Sequence, residues 1–237
     1  MKLRNGFALA WLLVAASSAD ASSLGVEPVS IDIAAPRKTS TLTLRNEGDD
    51  AVATQIRIYR WTRNGGEDEL VPTKDVVASP PAARIKPNSK YTVRIVRVGK
   101  TPVAGEETYR LLVDQLPKPA KVNGPNVSFA VRYSIPVFFN DPAAEAGPLS
   151  WSASMQDGTL KLAAANAGAR RVKVSGLTVK GPGGERVVSD GLAGYVLGKS
   201  KSEWTVKPPA GIAAGSRITI IAKDDRGPIE ATAKVGP

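Results

Sequence analysis

The chain has 237 residues, a formal charge of +10, and neither cysteine nor histidine. The two absences remove disulfides, zinc sites of the usual kind, Cys–His and Ser–His catalysis and imidazole acid–base work, so stability must come from a real hydrophobic core. Aromatics are 5% and the basic residues are spread over both halves, without the concentrated basic and aromatic patch that nucleic-acid binding asks for.

The N-terminus reads as a secretory signal peptide over residues 1–21. Met1-Lys-Leu-Arg4 is a basic n-region, Phe7 to Ala16 is an apolar stretch too short to span a bilayer, and Ala19-Asp-Ala21 fits the small-x-small cleavage rule. Cleavage after Ala21 is expected, with Ala19 as the alternative. No later segment is long and apolar enough to insert in a membrane as a helix, and export places the mature chain outside the cytoplasm.

From there the pattern is β. Residues 39–45, 53–61, 91–98 and 108–116 alternate apolar and polar side chains, with turn signals at Asn46-Glu-Gly48, Asn64-Gly-Gly66, Pro80-Pro81, Pro87-Asn88 and Gly99 between them. After a Pro/Gly/Lys loop (117–126) comes the longest alternation, Asn126-Val-Ser-Phe-Ala-Val-Arg-Tyr-Ser-Ile-Pro-Val-Phe-Phe139. Val127, Phe129, Val131, Tyr133, Ile135, Val137 and Phe139 form one large apolar face. Such a strand can fill its own core, or lend some of these knobs to another protein.

Asp141 to Pro148 is rich in Pro, Ala and Gly and reads as a link between domains. The β pattern then restarts at Leu149-Ser-Trp-Ser-Ala153, turns at Asp157-Gly158, and continues through residues 159–163, 171–174, 177–179, 186–188, 204–206, 217–221 and 229–233. Short strands at this spacing predict two tandem immunoglobulin-like β-sandwiches, an all-β chain divided at 22–140 and 141–237.

Possible chemical sites are few. Ala193-Gly-Tyr-Val-Leu-Gly-Lys-Ser200 matches a relaxed phosphate-loop pattern, but a strand ending at Pro208-Pro209 follows where a helix would be needed. It is expected to be a turn. No serine has a lysine three residues later. The adjacent acids Asp49-Asp50, Glu106-Glu107 and Asp224-Asp225 would face opposite sides of a strand, and Glu67-Asp-Glu69 reads as a charged hairpin tip rather than a calcium loop. No catalytic residue, metal ligand or cofactor is expected.

The order of several motifs resembles the periplasmic pilus-assembly chaperones of the PapD-like superfamily, and within it the archaic (alternative) chaperone–usher branch. They are Thr41-Leu-Thr-Leu-Arg-Asn46; Gln55 to Trp61; Ser79-Pro-Pro81 with Ile85 to Arg94; Glu106-Glu-Thr-Tyr-Arg-Leu-Leu-Val-Asp-Gln-Leu-Pro117; and the second-domain stretches Ala165-Asn-Ala-Gly168, Gly194-Tyr-Val-Leu-Gly198 and Asp224-Asp-Arg-Gly227. The resemblance implies an L-shaped pair of domains that binds pilus subunits. The strand at 126–139 would be donated into the subunit's incomplete sandwich, and the complex delivered to an outer-membrane usher. Val127, Phe129 and Val131 would be the donated knobs, with Tyr133 and Ile135 continuing the face. Well-studied members anchor the subunit's C-terminal carboxylate with a cleft Arg and Lys. Here those places hold Ser30 or a neighbour and Pro136, which leaves Arg132 and Arg94 as candidate anchors. The family's interdomain salt bridge maps onto Glu106 (or Glu107) and Asp225, with Asn140 where an Arg is expected and Arg132 or Arg226 as substitutes. An unoccupied donor edge also makes self-association of the free protein an expectation. The competing expectation is a secreted tandem adhesin or polysaccharide-binding protein, which asks for a groove of exposed aromatics or a calcium loop.

Overall fold

The computed structural model describes residues 24–64, 66–117 and 130–237. The signal peptide and the knobs Val127 and Phe129 lie outside these residues. Among the described residues there is no helix. The first domain runs through β1 (Leu24–Glu27), β2 (Ile31–Ala34), β3 (Thr39–Asn46), β4 (Val52–Asn64), β5 (Glu67–Pro72), β6 (Val76–Ser79), β7 (Ala82–Ile85), β8 (Ser89–Arg97), β9 (Glu106–Gln115) and β10 (Arg132–Asn140). The second runs through β11 (Leu149–Gln156), β12 (Thr159–Asn166), β13 (Val172–Gly181), β14 (Gly184–Val196), β15 (Lys201–Val206), β16 (Arg217–Asp224) and β17 (Gly227–Gly236).

The first sandwich packs a sheet of order β1-β3-β8-β6 against one of order β2-β10-β9-β4-β5, with β7 paired to the start of β4. Alternation puts Leu42, Leu44, Val93 and Ile95 of one sheet against Ile56, Tyr109, Leu111, Val113, Ile135, Val137 and Phe139 of the other. The second domain repeats the plan around Leu160, Leu162, Val174, Leu177, Val179, Ile218 and Ile220. Asp157 and Gly158 take φ values of 50° and 73°, the left-handed pair of a tight hairpin turn. The expected strands at 171–174 and 177–179 are one strand, β13, broken by bulges around Gly176 at φ 59°.

One corner is built twice. Asn46 donates from Nδ2 to the carbonyls of Asp50 (2.7 Å) and Ile85 (3.2 Å), and its Oδ1 accepts from the N–H of Gly48 (3.1 Å). Asn166 donates to Arg170 (2.7 Å) and Val196 (3.0 Å) and accepts from Gly168 (2.8 Å). Both are buried amides with donors and acceptors satisfied, and each ends a long strand, β3 or β12, and closes the five-residue turn after it. The second corner delivers Arg170 and Arg171 to the domain junction.

Candidate functional site

β10 is hydrogen-bonded to β9 along its whole length, from Arg132↔Asp114 to Asn140↔Glu106. On its other side β2 pairs with it in parallel, but only at Val137 to Asn140. The chain has crossed by then: β1, three residues before β2, belongs to the opposite sheet, paired with β3. Residues 132–136 therefore have no strand on their outer edge among the described residues. The ladder with β9 extends one residue further, through the Gln115 N–H donating to the carbonyl of Val131 at 2.9 Å. An open edge of this kind is a template for another strand.

The knobs divide along this edge. Val131 is half-buried. Tyr133 leans on the home core and its hydroxyl donates to the carbonyl of Leu24, tying β10 to β1 across the mouth of the sandwich. Ile135 is 3% exposed and packs in the home core, so it does not continue a donated face. The two sheets close over it although β2 ends two residues away at Val137, and Tyr133 still packs against the same core.

The outward face of the β10 sheet is the wall that the second domain covers at Trp61 and Phe138, with cross-strand partners sharing that face. At its far end the Asp114 carboxylate is clasped by both Arg57 and Arg132. The Arg132 hydrogen bond, helped by Arg57 and opposed by burial, holds the Asp114 carboxyl below its ordinary range. Arg132 is thus already committed to a carboxylate of its own domain. Arg94 is exposed on β8, opposite Thr41 and Ser79 in the other sheet, and does not lie on this wall. Neither expected anchor is placed to serve as one.

A third guanidinium fits better. Arg110 lies mid-wall between Tyr59 and Pro136, half-buried, its Cζ 3.8 Å from the centroid of the Trp61 ring. It has no ion-pair partner among the described residues. Burial lowers its pKa from the ordinary value, with a counter-effect from Asp68, and an arginine stays charged through any such change. Sequence reading quoted this residue inside the Tyr-Arg-Leu motif without assigning it a role. Its alternation with Leu112 and Asp114 on the outward face of β9 was the available signal.

Next along the wall come Trp61 and Phe138, both outward-facing yet fully buried because Tyr195 and Leu197 of the second domain cover them. The Tyr195 ring meets Trp61 edge-on, with centroids 5.9 Å apart, and Phe138 at 5.4 Å. Beside this cluster Arg171 crosses the junction. Its guanidinium pairs with Glu106 and Asp32, its backbone N–H donates to Glu106 at 2.9 Å, and its Cζ lies 3.5 Å above the Phe138 ring. Asn140 donates to the same Asp32. Glu106 is an interdomain contact as expected. Asp225 is not: it meets Lys173 of its own domain at 3.4 Å, because β13 and the β16–β17 turn belong to one sheet. The missing arginine comes from the second domain. Arg226 instead pairs with Asp224 and donates to the carbonyl of Ala146 in the link.

The Gly-Lys-Ser stretch is a turn. β14 runs through Val196, Lys199 has φ 57°, and β15 starts at Lys201.

Comparison with known proteins agrees with this architecture. The family model described as pili and flagellar-assembly chaperone, PapD N-terminal domain, matches residues 23–144. No curated protein sequence matches. Among solved structures, the chain is similar to the chaperone in the CsuC–CsuE chaperone–tip adhesion subunit pre-assembly complex from the archaic chaperone–usher Csu pili of Acinetobacter baumannii. There the TM-score is 0.68 and the identity 26%, covering 90% of this chain and 99% of that one. The fold is also shared with the YadV chaperone (TM-score 0.63, 18% identity, 90% and 99% covered) and with SafB in the Salmonella enterica SafA pilin complex (0.62, 16%, 90% and 98%).

Proposed function

The chain belongs to the pili and flagellar-assembly chaperone family and has a chaperone role in pilus assembly; from that premise we propose that it captures subunits on the open edge of β10. The incomplete sandwich of a subunit would gain the strand it lacks. Backbone hydrogen bonds would supply generic affinity, and the knobs Val127, Phe129 and Val131 would supply the fit. The subunit's last residues would run along the β10 edge to the outward face of the sheet, where the carboxylate would meet Arg110. The observation that carries this reading is the mismatch of β2 and β10, which leaves Arg132 to Pro136 unpaired on one side.

Arg110 replaces Arg132 and Arg94 as the proposed anchor. A guanidinium without a carboxylate of its own, partly dehydrated on an indole face, is a better receptor for an incoming anion than one already clasped by Asp114. We place the protein in the periplasm, exported through residues 1–21, with the loaded chaperone passed on to an outer-membrane usher. No side chain is assigned a chemical step.

The test is hydrogen exchange on the chaperone before and after co-purification with subunits encoded beside it. The amides of Arg132 and Ser134, which point to the open edge, should gain protection, while those of Tyr133 and Ile135, turned to β9, and of Val137 to Asn140, laddered to β9 or β2, should not change. Unaltered exchange at Arg132 and Ser134 would remove the edge from the mechanism.

A further inference from the structure

We infer that the second domain takes part in subunit capture indirectly: Tyr195, with Leu197 behind it, is a positioning residue that holds the Trp61 indole as the platform for Arg110. This rests on the reading of Arg110 as the carboxylate anchor.

Three observations lead to it. First, Arg110 has no ion pair among the described residues, and its aromatic support is the Trp61 ring 3.8 Å from Cζ. The place of the guanidinium therefore depends on the place of the indole. Second, the Trp61 Nε1 has no hydrogen-bond partner and is buried. Among the described residues no hydrogen bond orients this side chain, so the rings packed around it do. Third, that packing comes from both domains: Phe138 from β10 at 6.1 Å between centroids, and Tyr195 at 5.9 Å with its plane 86° to the indole. Tyr195 and Leu197 leave the second domain at the end of β14, which reaches the junction because the β14–β15 turn folds back at Lys199.

The chain of dependence is second-domain ring, indole, guanidinium, carboxylate. With Tyr195 shortened, the indole gains space on its junction side and can rotate, and the guanidinium loses the surface that keeps it in place on the wall. The effect should appear as lost discrimination for a carboxylate, and only weakly in strand affinity. The unpaired edge at Arg132 to Pro136 is held by β9, and Tyr195 meets β10 at Phe138, beyond that stretch.

The experiment uses the full mature chain and a short synthetic peptide of alternating valine and threonine, made once with a free C-terminal carboxylate and once as the amide. Wild type should prefer the acid by about tenfold, the factor carried by about 1.4 kcal/mol of charge-assisted hydrogen bonding. Arg110→Ala should abolish the preference. No preference in wild type, or a preference that survives Arg110→Ala, overturns the anchor reading itself. With the anchor established, Tyr195→Leu should cut the acid preference to about twofold or less, and Tyr195→Phe, which keeps the ring, should restore it. Full acid preference in Tyr195→Leu, with Arg110→Ala still abolishing it, overturns the positioning role alone. Should Tyr195→Leu fail to fold, Leu197→Ala carries the same two outcomes.

Discussion

Arg171 and Glu106 hold the two domains to each other through side chain and backbone at once: guanidinium and backbone N–H of one residue converge on the carboxylate of the other. The Glu106 side chain is 1% exposed. A buried pair like this is weak evidence for stability as a whole, since dehydrating both charges offsets their attraction, but removing one partner strands the other.

Glu106→Ala should therefore destabilise the chain by about 3–5 kcal/mol, while Glu106→Leu combined with Arg171→Met should cost much less. Urea unfolding of Glu106→Ala, of Glu106→Leu and Arg171→Met singly, and of the double variant measures this. Additive losses would show that the two side chains do not act as a pair.

Gly105 should resist substitution for two reasons. Its φ is +74°, and a Cβ there would lie 3.2 Å from the carbonyl oxygen of Ala169 in the other domain. Gly105→Ala pays for a left-handed backbone and for pushing the junction apart, so a loss above about 1 kcal/mol is expected. Small-angle scattering should report a changed domain arrangement. A wild-type melt would mean that the junction yields without cost.

Neighbouring acids on β9 should give opposite pH responses. Burial pushes the Glu107 carboxyl up, but hydrogen bonds from Arg97 and Tyr109 outweigh it and set the group below its ordinary value. Its contribution is present above the unfolded value near about 4.3 and is lost as pH falls through the lower folded one. Glu106 is raised, because burial outweighs Arg171 and Arg170. Its ionised form costs stability at neutral pH, and that cost is relieved as pH falls through the raised value toward about 4.3. Stability measured against pH should lose part of its acid decline in Glu107→Gln and part of its gain on mild acidification in Glu106→Gln. Equal slopes in wild type and both variants would contradict the assignment.

The β class was legible because it has a local cause, period-two alternation. The short strands β1, β2, β5, β6 and β7 were not, since four to six residues carry too little alternation to stand out. Arg171 escaped notice because its role depends on how a second-domain corner meets the first domain, a relation 65 residues apart in sequence with Glu106. Ile135 was misread for a related reason. Period two gives the face of a strand but not the point along it where the opposite sheet stops covering that face, and the core reaches Ile135, two residues past the end of the β2 pairing.

That boundary yields the sharpest test of the capture mechanism, a pair of substitutions on one strand face. Ile135→Asp puts a charge into the home core beside Val137 and Leu111, where it has no partner. Losing a buried isoleucine costs about 2–5 kcal/mol even when replaced by alanine, so with a charge the first domain should not hold its fold. Phe129, six residues earlier and outside the described residues, is expected to be spent on the subunit instead. Phe129→Asp should leave the melt of the free chaperone unchanged and abolish subunit recovery on co-expression, because the charge would enter an apolar pocket of the subunit. Val131→Asp, at the boundary, should fall between: a modest loss in the melt and a strong loss in recovery. A collapsed melt for Phe129→Asp would place that ring in the home core and move the donated segment elsewhere. A normal melt with normal recovery would take the strand out of the binding mechanism and leave the open edge of β10 without an occupant.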